Sequence, residues 1–99
     1  MKEDMSEEAV KKRIKRAIEA ATKCLKYPPG RCEVIQLSNY VFHIEAIRKK
    51  EICKIRIVLD EITKRDEDLV RNFELPENCT REIWCRKING SFEVKEIRK

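Results

Sequence analysis

Residues 40–59 read YVFHIEAIRKKEICKIRIVL, and this stretch decides the fold. β-branched and aromatic residues dominate Tyr40–Ile47 and Ile52–Leu59, while the segment Arg48–Glu51 between them is polar. Such composition is typical of strands, and a short polar reversal joins strands that are antiparallel neighbours. The stretch therefore predicts a hairpin within a β-sheet, with alternate side chains on opposite faces.

A strand and a long helix precede this hairpin. Cys32–Leu37 is rich in apolar residues and is followed by turn residues, which predicts a further antiparallel strand. Before it, apolar residues recur every three or four positions through residues 7–26. That spacing predicts an amphipathic helix, which begins after the capping residue Ser6 and ends before Pro28.

The last third of the chain predicts a short helix and a second hairpin. The acidic residues Asp66–Asp68 precede an apolar segment and are typical of the first turn of a helix. Thr80–Ile88 and Phe92–Ile97 are strand-like, and Asn89-Gly90 lies between them. This dipeptide favours a two-residue hairpin turn in which both residues have positive φ.

Together these elements predict a single α+β domain that spans residues 1–99. Their order is α-β-β-β-α-β-β, with a mixed, mostly antiparallel sheet and a long N-terminal helix. A chain of 99 residues is long enough for one domain with a modest core. No apolar run approaches the roughly 18 residues of a membrane span, and no hydrophobic leader follows Met1. We therefore expect a cytoplasmic or otherwise intracellular protein without membrane contact.

The amino-acid composition is highly charged and slightly basic. Lys and Arg total 23, Asp and Glu total 18, and the formal net charge is +5. Asn and Gln are few, whereas Lys, Glu, Arg and Ile are numerous. This compositional bias is typical of thermophilic proteins. The bias is compatible with a thermophilic archaeal or archaeal-viral source, and the positive charge makes nucleic acid a candidate partner.

Residues 42–57, FHIEAIRKKEICKIRI, carry a resemblance to a known family. They look like the second and third strands of the restriction-endonuclease-like nucleases, a superfamily that includes archaeal Holliday-junction resolvases. The order of helix, three-stranded meander, crossover helix and further strand is also similar to the core of those enzymes. There, an aspartate on the second strand and an acid-x-lysine triplet on the third bind divalent metal and position the attacking water.

The resemblance implies a set of candidate catalytic residues whose spacing departs from that of the family. Glu45 is the candidate acid on the second strand, with His43 as the alternative. The third strand lacks the expected acid, since residues 56–58 read RIV. The catalytic candidates are therefore Glu45, Asp60, Glu61 and Lys64. This spacing favours a degenerate site without a cofactor, and an active site would use Mg²⁺ or Mn²⁺.

A basic run in the first helix is the second candidate site. Residues 11–16 read KKRIKR, and most of these cations are expected on the outer face of the helix. The candidate nucleic-acid-binding residues are Lys11, Lys12, Lys15 and Arg16 of the helix, with Lys49 and Lys50 of the hairpin. A purely structural explanation stays open, since Glu7, Glu8 and Glu19 precede Lys11, Lys12 and Lys23 by four residues, a spacing that allows stabilising ion pairs.

The cysteines and aromatic residues predict structural roles. The five cysteines lack a metal-binding spacing, so no zinc site is expected. Cys24 and Cys32 flank a turn, and the sequence leaves open whether they form a disulfide or are small buried apolar residues. Aromatic side chains expected in the core are Tyr40, Phe42, Trp84 and Phe92.

The last strand and the small number of helices predict self-association. Phe92–Ile97 is an exposed edge, and two helices cannot cover both faces of five strands, so we expect a homodimer. The element order is also similar to that of double-stranded-RNA-binding domains, but the second helix begins with acids where those domains have lysines. Three functions stay open: a nucleic-acid-associated domain with a degenerate metal site, a dimeric accessory protein, and a metal-dependent nuclease.

Overall fold

The computed structural model describes residues 7–27, 32–38 and 40–99. It confirms the predicted α+β class and the predicted order of elements. The elements are α1 (Glu7–Lys26), β1 (Glu33–Gln36), β2 (Ile44–Arg48), β3 (Glu51–Leu59), α2 (Lys64–Asn72), β4 (Cys79–Arg86) and β5 (Phe92–Glu96). Neither α1 nor α2 is long and apolar enough to span a bilayer, which holds for the described part of the chain.

The five strands form one mixed sheet in the order β1-β2-β3-β4-β5. Neighbouring strands are antiparallel except β3 and β4, which are parallel. Parallel neighbours need a crossover connection, and α2 supplies it between β3 and β4. The chain thus combines an antiparallel meander with one parallel pair at the centre of the sheet.

α1 covers β1, β2 and β3 on one side of the sheet, which we call the α1 face. The predicted apolar stripe is buried there, because residues three or four apart lie on one side of a helix. The core on the α1 face consists of Ala17, Ile18, Ala21, Ile44, Ala46, Ile55 and Ile57.

α2 packs on the opposite side of the sheet, which we call the α2 face. Its start is fixed by a capping box, in which Asp66 N–H donates to Thr63 Oγ1 at 3.1 Å. Its end is fixed by the buried guanidinium of Arg81, which donates to the carbonyl oxygens of Val70 and Phe73. The core on the α2 face consists of Val41, Phe42, Val58, Val70, Ile83, Cys85 and Ile97.

β2 begins at Ile44, four residues later than predicted. Val41 and Phe42 are both buried, and consecutive buried residues do not fit the alternation of a strand that has one exposed face. The ring nitrogen Nδ1 of His43 accepts a backbone N–H of β3 at 2.9 Å, a bond that a backbone carbonyl would otherwise make. Tyr40 lies outside the strand and is 73% exposed, so the prediction that it lies in the core was wrong.

The β4–β5 hairpin has a different turn from the one predicted. Only Gly90 has positive φ there, at 90°, so Asn89 is not in the left-handed region. Gly90 N–H donates to the carbonyl of Lys87, and Lys87 N–H donates to the carbonyl of Ser91. These bonds enclose a three-residue loop with a glycine bulge, and Ile88 therefore belongs to the loop and not to β4.

Candidate nucleic-acid interface

The basic half of α1 is fixed over one end of the sheet. Arg13 Nη2 lies 3.0 Å from the Asp60 carboxylate, at the residue that follows β3. Lys87 Nζ donates to the backbone carbonyl of Asp60 at 3.1 Å. Asp60 therefore joins α1 to the start of the β4–β5 loop, and the basic run lies beside that loop.

Four cations of the run point to solvent. Lys11, Lys12, Lys15 and Arg16 are all exposed. None of them forms an ion pair with any residue in the described ranges 7–27, 32–38 and 40–99. Among the described residues, the helix-surface pairs that the sequence allowed with Glu7, Glu8 and Glu19 are not formed. The positive charge of α1 is consequently available to an outside partner.

Lys49 and Lys50 lie at the opposite end of β3. They form the exposed turn between β2 and β3, and Lys49 has a positive φ of 54°. β3 has nine residues, and its ends are about 26 Å apart at the usual rise of a strand. The structure thus divides the six predicted binding residues into a group on α1 and a distant pair.

No known protein family, curated protein or solved structure matches the chain.

Glu45, the predicted second-strand acid, is held by a lysine. It lies opposite Lys54 in the register of β2 and β3, and the Lys54 ammonium forms an ion pair with its carboxylate. Their side chains are only 17% and 20% exposed. A carboxylate that is already neutralised and largely desolvated is poorly placed to bind a further cation from solvent.

The structure does not bring the four catalytic candidates together. Asp60 lies six residues beyond Lys54 along the chain, which corresponds to about 20 Å from Glu45 at the usual strand rise. One metal ion requires oxygen ligands at about 2.0–2.6 Å, so it cannot join carboxylates this far apart. Glu61 and Lys64 are exposed and follow Asp60 toward α2. Among the described residues, no group of three or more His, Cys, Asp or Glu is arranged to hold a metal.

Asp60 has a structural role in this arrangement. Its φ of 71° is in the left-handed region, which Asp tolerates better than most residues. Its N–H donates to the carbonyl of Arg86 at 2.9 Å, and its carboxylate pairs with Arg13. The carboxylate that a metal site would use is therefore paired with Arg13, and Asp60 joins α1, β3 and β4.

Arg56 organises the α2 face in a way that the sequence interpretation missed. Its Nε lies 3.0 Å from the Asp66 carboxylate, and its Nη1 donates to the carbonyl of Val41 at 3.0 Å. Burial opposes ionisation of Asp66, but hydrogen bonds from Thr63 and Arg56 outweigh it and lower the pKa of that carboxyl. The spacing of Thr63 and Asp66 is a capping-box signal that could have been found in the sequence.

His43 is neutral in the fold. Burial, and then the charge of Arg56, lower the pKa of its imidazole. The neutral ring is also required by geometry, since Nδ1 accepts the N–H of Ile57 and so cannot carry a proton. His43 therefore replaces a backbone acceptor and is not placed as a ligand or a base.

The thiols are not arranged as nucleophiles or as metal ligands. All five cysteines are free, so Cys24 and Cys32 do not form the disulfide that the sequence left open. Cys32 Sγ donates to the carbonyl of Leu25 at 3.0 Å. Burial raises the pKa of the Cys53 thiol to about 12, which keeps it protonated at neutral pH.

Proposed function

We propose that this chain is a nucleic-acid-binding domain that contacts duplex DNA through the exposed face of α1 and does not cleave it. The observation that carries the proposal is the set of four solvent-facing cations on α1, none of which is paired with a described residue. Their neighbour Arg13 is paired with Asp60 and holds the helix in place. One cation of the run thus anchors α1, while the others face outward.

The spacing of the cations suits a phosphate backbone. Lys11 and Lys15, like Lys12 and Arg16, are four residues apart on α1, which is about 6 Å along a helix axis. Lysine and arginine in such rows displace the counterions of a duplex, and that release supplies most sequence-independent affinity. No exposed acidic side chain is paired with these rows within the described chain, so no internal partner competes with phosphate.

The topology supports a relationship to resolvase-type nucleases. Three antiparallel strands are followed by a crossover helix and a strand parallel to the third, which is the order that the resemblance implies. β3 has a lysine, Lys54, directly opposite Glu45, but the residue two places before it is Ile52, and residues 56–58 also lack an acid. An apolar side chain in place of the second acid supports a degenerate, non-cleaving site.

The proposal is tested by fluorescence anisotropy with a labelled DNA duplex at low salt. Lys11→Glu combined with Lys15→Glu is expected to weaken binding at least about tenfold, because two attractive phosphate contacts become repulsive. Lys49→Glu combined with Lys50→Glu is the matched control, since it changes the net charge equally at the far end of β3. Equal loss in both variants, or no binding by the unmodified chain, contradicts the proposal and leaves an accessory interaction protein as the alternative.

A further inference from the structure

The outer edge of β5 offers a row of free backbone groups. Lys87 N–H donates to the carbonyl of Ser91, and Ile97 N–H donates to that of Arg81, so odd-numbered residues of this strand direct their backbone toward β4. In an antiparallel ladder the intervening residues direct theirs the other way. The N–H and C=O groups of Phe92, Val94 and Glu96 therefore point away from the sheet.

We infer that a second copy of this chain pairs with the β5 edge in antiparallel orientation about a two-fold axis at Val94, joining two sheets into one of ten strands. In this register Val94 pairs with its own symmetry mate, and Phe92 pairs with the second copy's Glu96. All three outward-pointing residues then exchange backbone hydrogen bonds, so no free group remains along β5.

The charges of β5 are complementary to themselves in this register. The strand reads FEVKE, so a two-fold axis at Val94 places Glu93 opposite the second copy's Lys95, and Lys95 opposite its Glu93. Opposite charges directly across an antiparallel pair are stabilising. Within one copy Glu93 is already paired with Lys87 at 2.9 Å and Lys95 with Glu67 at 2.7 Å, so the second copy would add a partner to each of these pairs. A shift of the axis by one residue would place Glu93 opposite the second copy's Glu93, or Lys95 opposite the second copy's Lys95. The sequence therefore favours one register over its neighbours.

The α1 face of β4 and β5 contains two neighbouring carboxylates, of which Glu96 is paired with Arg98 and Glu82 accepts the indole N–H of Trp84. Glu82 and Glu96 are directly opposite each other on neighbouring strands, an unfavourable pairing of like charges. Arg86 lies at the other end of the pair of strands, with its guanidinium 4.8 Å from the centre of the Phe92 ring. Since Phe92 pairs with the second copy's Glu96 in the proposed dimer, Arg86 of each copy reaches toward the two carboxylates of the other.

The centre of the proposed interface is apolar. Val94 is 49% exposed and lies opposite Trp84 on the α1 face, beyond the strands that α1 covers. The two-fold axis brings Trp84 and Val94 of both copies into one row, where the two Val94 side chains contact each other and lose part of their exposed apolar surface. The axis is perpendicular to the sheet, so both α1 helices lie on the same side of the dimer and present their cations together.

The test is sedimentation equilibrium of the full chain over a range of concentrations. The unmodified chain is expected to reach twice its mass of 11.8 kDa. Glu93→Lys and Lys95→Glu, each alone, are expected to raise the dimer dissociation constant about tenfold, because each places like charges opposite each other twice. The combination of both changes restores the opposite charges across the interface and is expected to restore the dimer, while it removes the Lys87–Glu93 and Lys95–Glu67 pairs within each copy.

Val94→Lys places two cations at the axis and is expected to give a monomer. The matched control is Ile35→Lys on the other edge strand, β1. Ile35 is 42% exposed, which is close to the exposure of Val94. Circular dichroism verifies that each variant is folded. The inference is overturned by a monomer at every concentration, by dissociation with Ile35→Lys but not with Val94→Lys, or by failure of the double charge exchange to restore the dimer in folded protein. DNA binding by a monomer would leave the proposed function intact.

Discussion

The guanidinium of Arg13 in α1 and the carboxylate of Asp60 after β3 are 3.0 Å apart. The buried stripe of α1 sets the rotation of the helix about its axis, and this contact is made in the same orientation, in which the remaining cations of the run face solvent. The contact also occupies the carboxylate of Asp60, whose N–H donates to Arg86 and whose carbonyl accepts from Lys87. Asp60, one of the candidate catalytic residues, thus contributes to positioning the candidate interface on α1.

Replacing Asp60 should separate its backbone role from its charge. The Arg13–Asp60 pair is about half exposed, so Asp60→Asn, which keeps tolerance of positive φ, is expected to cost at most about 1 kcal/mol. Asp60→Ala adds the strain of a left-handed alanine and is expected to cost about 1–2 kcal/mol more. Urea unfolding of both variants measures the difference. Equal costs would mean that the backbone conformation contributes nothing.

Arg81 is expected to be the most sensitive charged residue of the α2 face. Arg81→Met keeps the length of the side chain but leaves the carbonyl oxygens of Val70 and Phe73 without their donor, at a cost of about 2–4 kcal/mol. Arg71→Met is the matched control, because that side chain is 39% exposed and its ion pairs are at the surface of α2. It is expected to cost less than about 1 kcal/mol in the same urea titration. A reversed order would contradict the role given to Arg81.

His43 should make stability depend on pH. Its pKa is lowered in the fold, so below the usual value of 6.5 the unfolded chain binds a proton that the folded chain refuses. Stability is therefore expected to be unaffected by this residue above about pH 7 and to fall as pH decreases through 6.5, with a slope of at most about 1.4 kcal/mol per pH unit.

His43→Asn is the control, since an amide oxygen can accept the Ile57 N–H without titrating. Thermal unfolding of both proteins between pH 5 and 8 is the measurement. The slope between pH 7 and 5 is expected to be smaller in the variant. An identical slope would show that other groups cause it.

Glu45 should matter for stability and not for cleavage. Glu45→Ala leaves the largely buried ammonium of Lys54 without its partner, and is expected to cost about 1–3 kcal/mol in urea unfolding. We expect no cleavage of linear or branched DNA in Mg²⁺ or Mn²⁺ by the unmodified chain. Metal-dependent cleavage that Glu45→Ala abolishes would contradict the assignment of a degenerate site.

The elements that the sequence predicted well are those whose burial repeats locally. α1 has an apolar residue every three or four positions, and Lys54 and Arg56 alternate with apolar residues in the first part of β3, so each pattern lies within one element. Tyr40 could not be placed this way, because its departure from β2 depends on a hydrogen bond between His43 and Ile57 of another strand. The buried position of Arg81 likewise depends on carbonyl groups at the distant end of α2.

The separation of the catalytic candidates could have been predicted. In a hairpin with a tight turn at Lys49 and Lys50, residues at equal distances before and after the turn are paired. This rule places Glu45 opposite Lys54 and leaves Asp60 beyond the end of β2. Residue type alone grouped the acids, whereas strand register separates them. The β4–β5 loop could not be assigned in this way, because Asn89-Gly90 is compatible with either a two-residue or a three-residue loop.

Phosphate binding by the α1 cations should make the affinity for DNA depend steeply on salt concentration. Four phosphate contacts give a slope of log K against log salt of about −3.6 for each bound protomer. Lys11→Glu combined with Lys15→Glu is expected to make the slope shallower, at about −1.8 or closer to zero. Lys49→Glu combined with Lys50→Glu is expected to leave it unchanged. A slope near zero in the unmodified chain, or one that changes only in the variant at residues 49 and 50, would contradict the account.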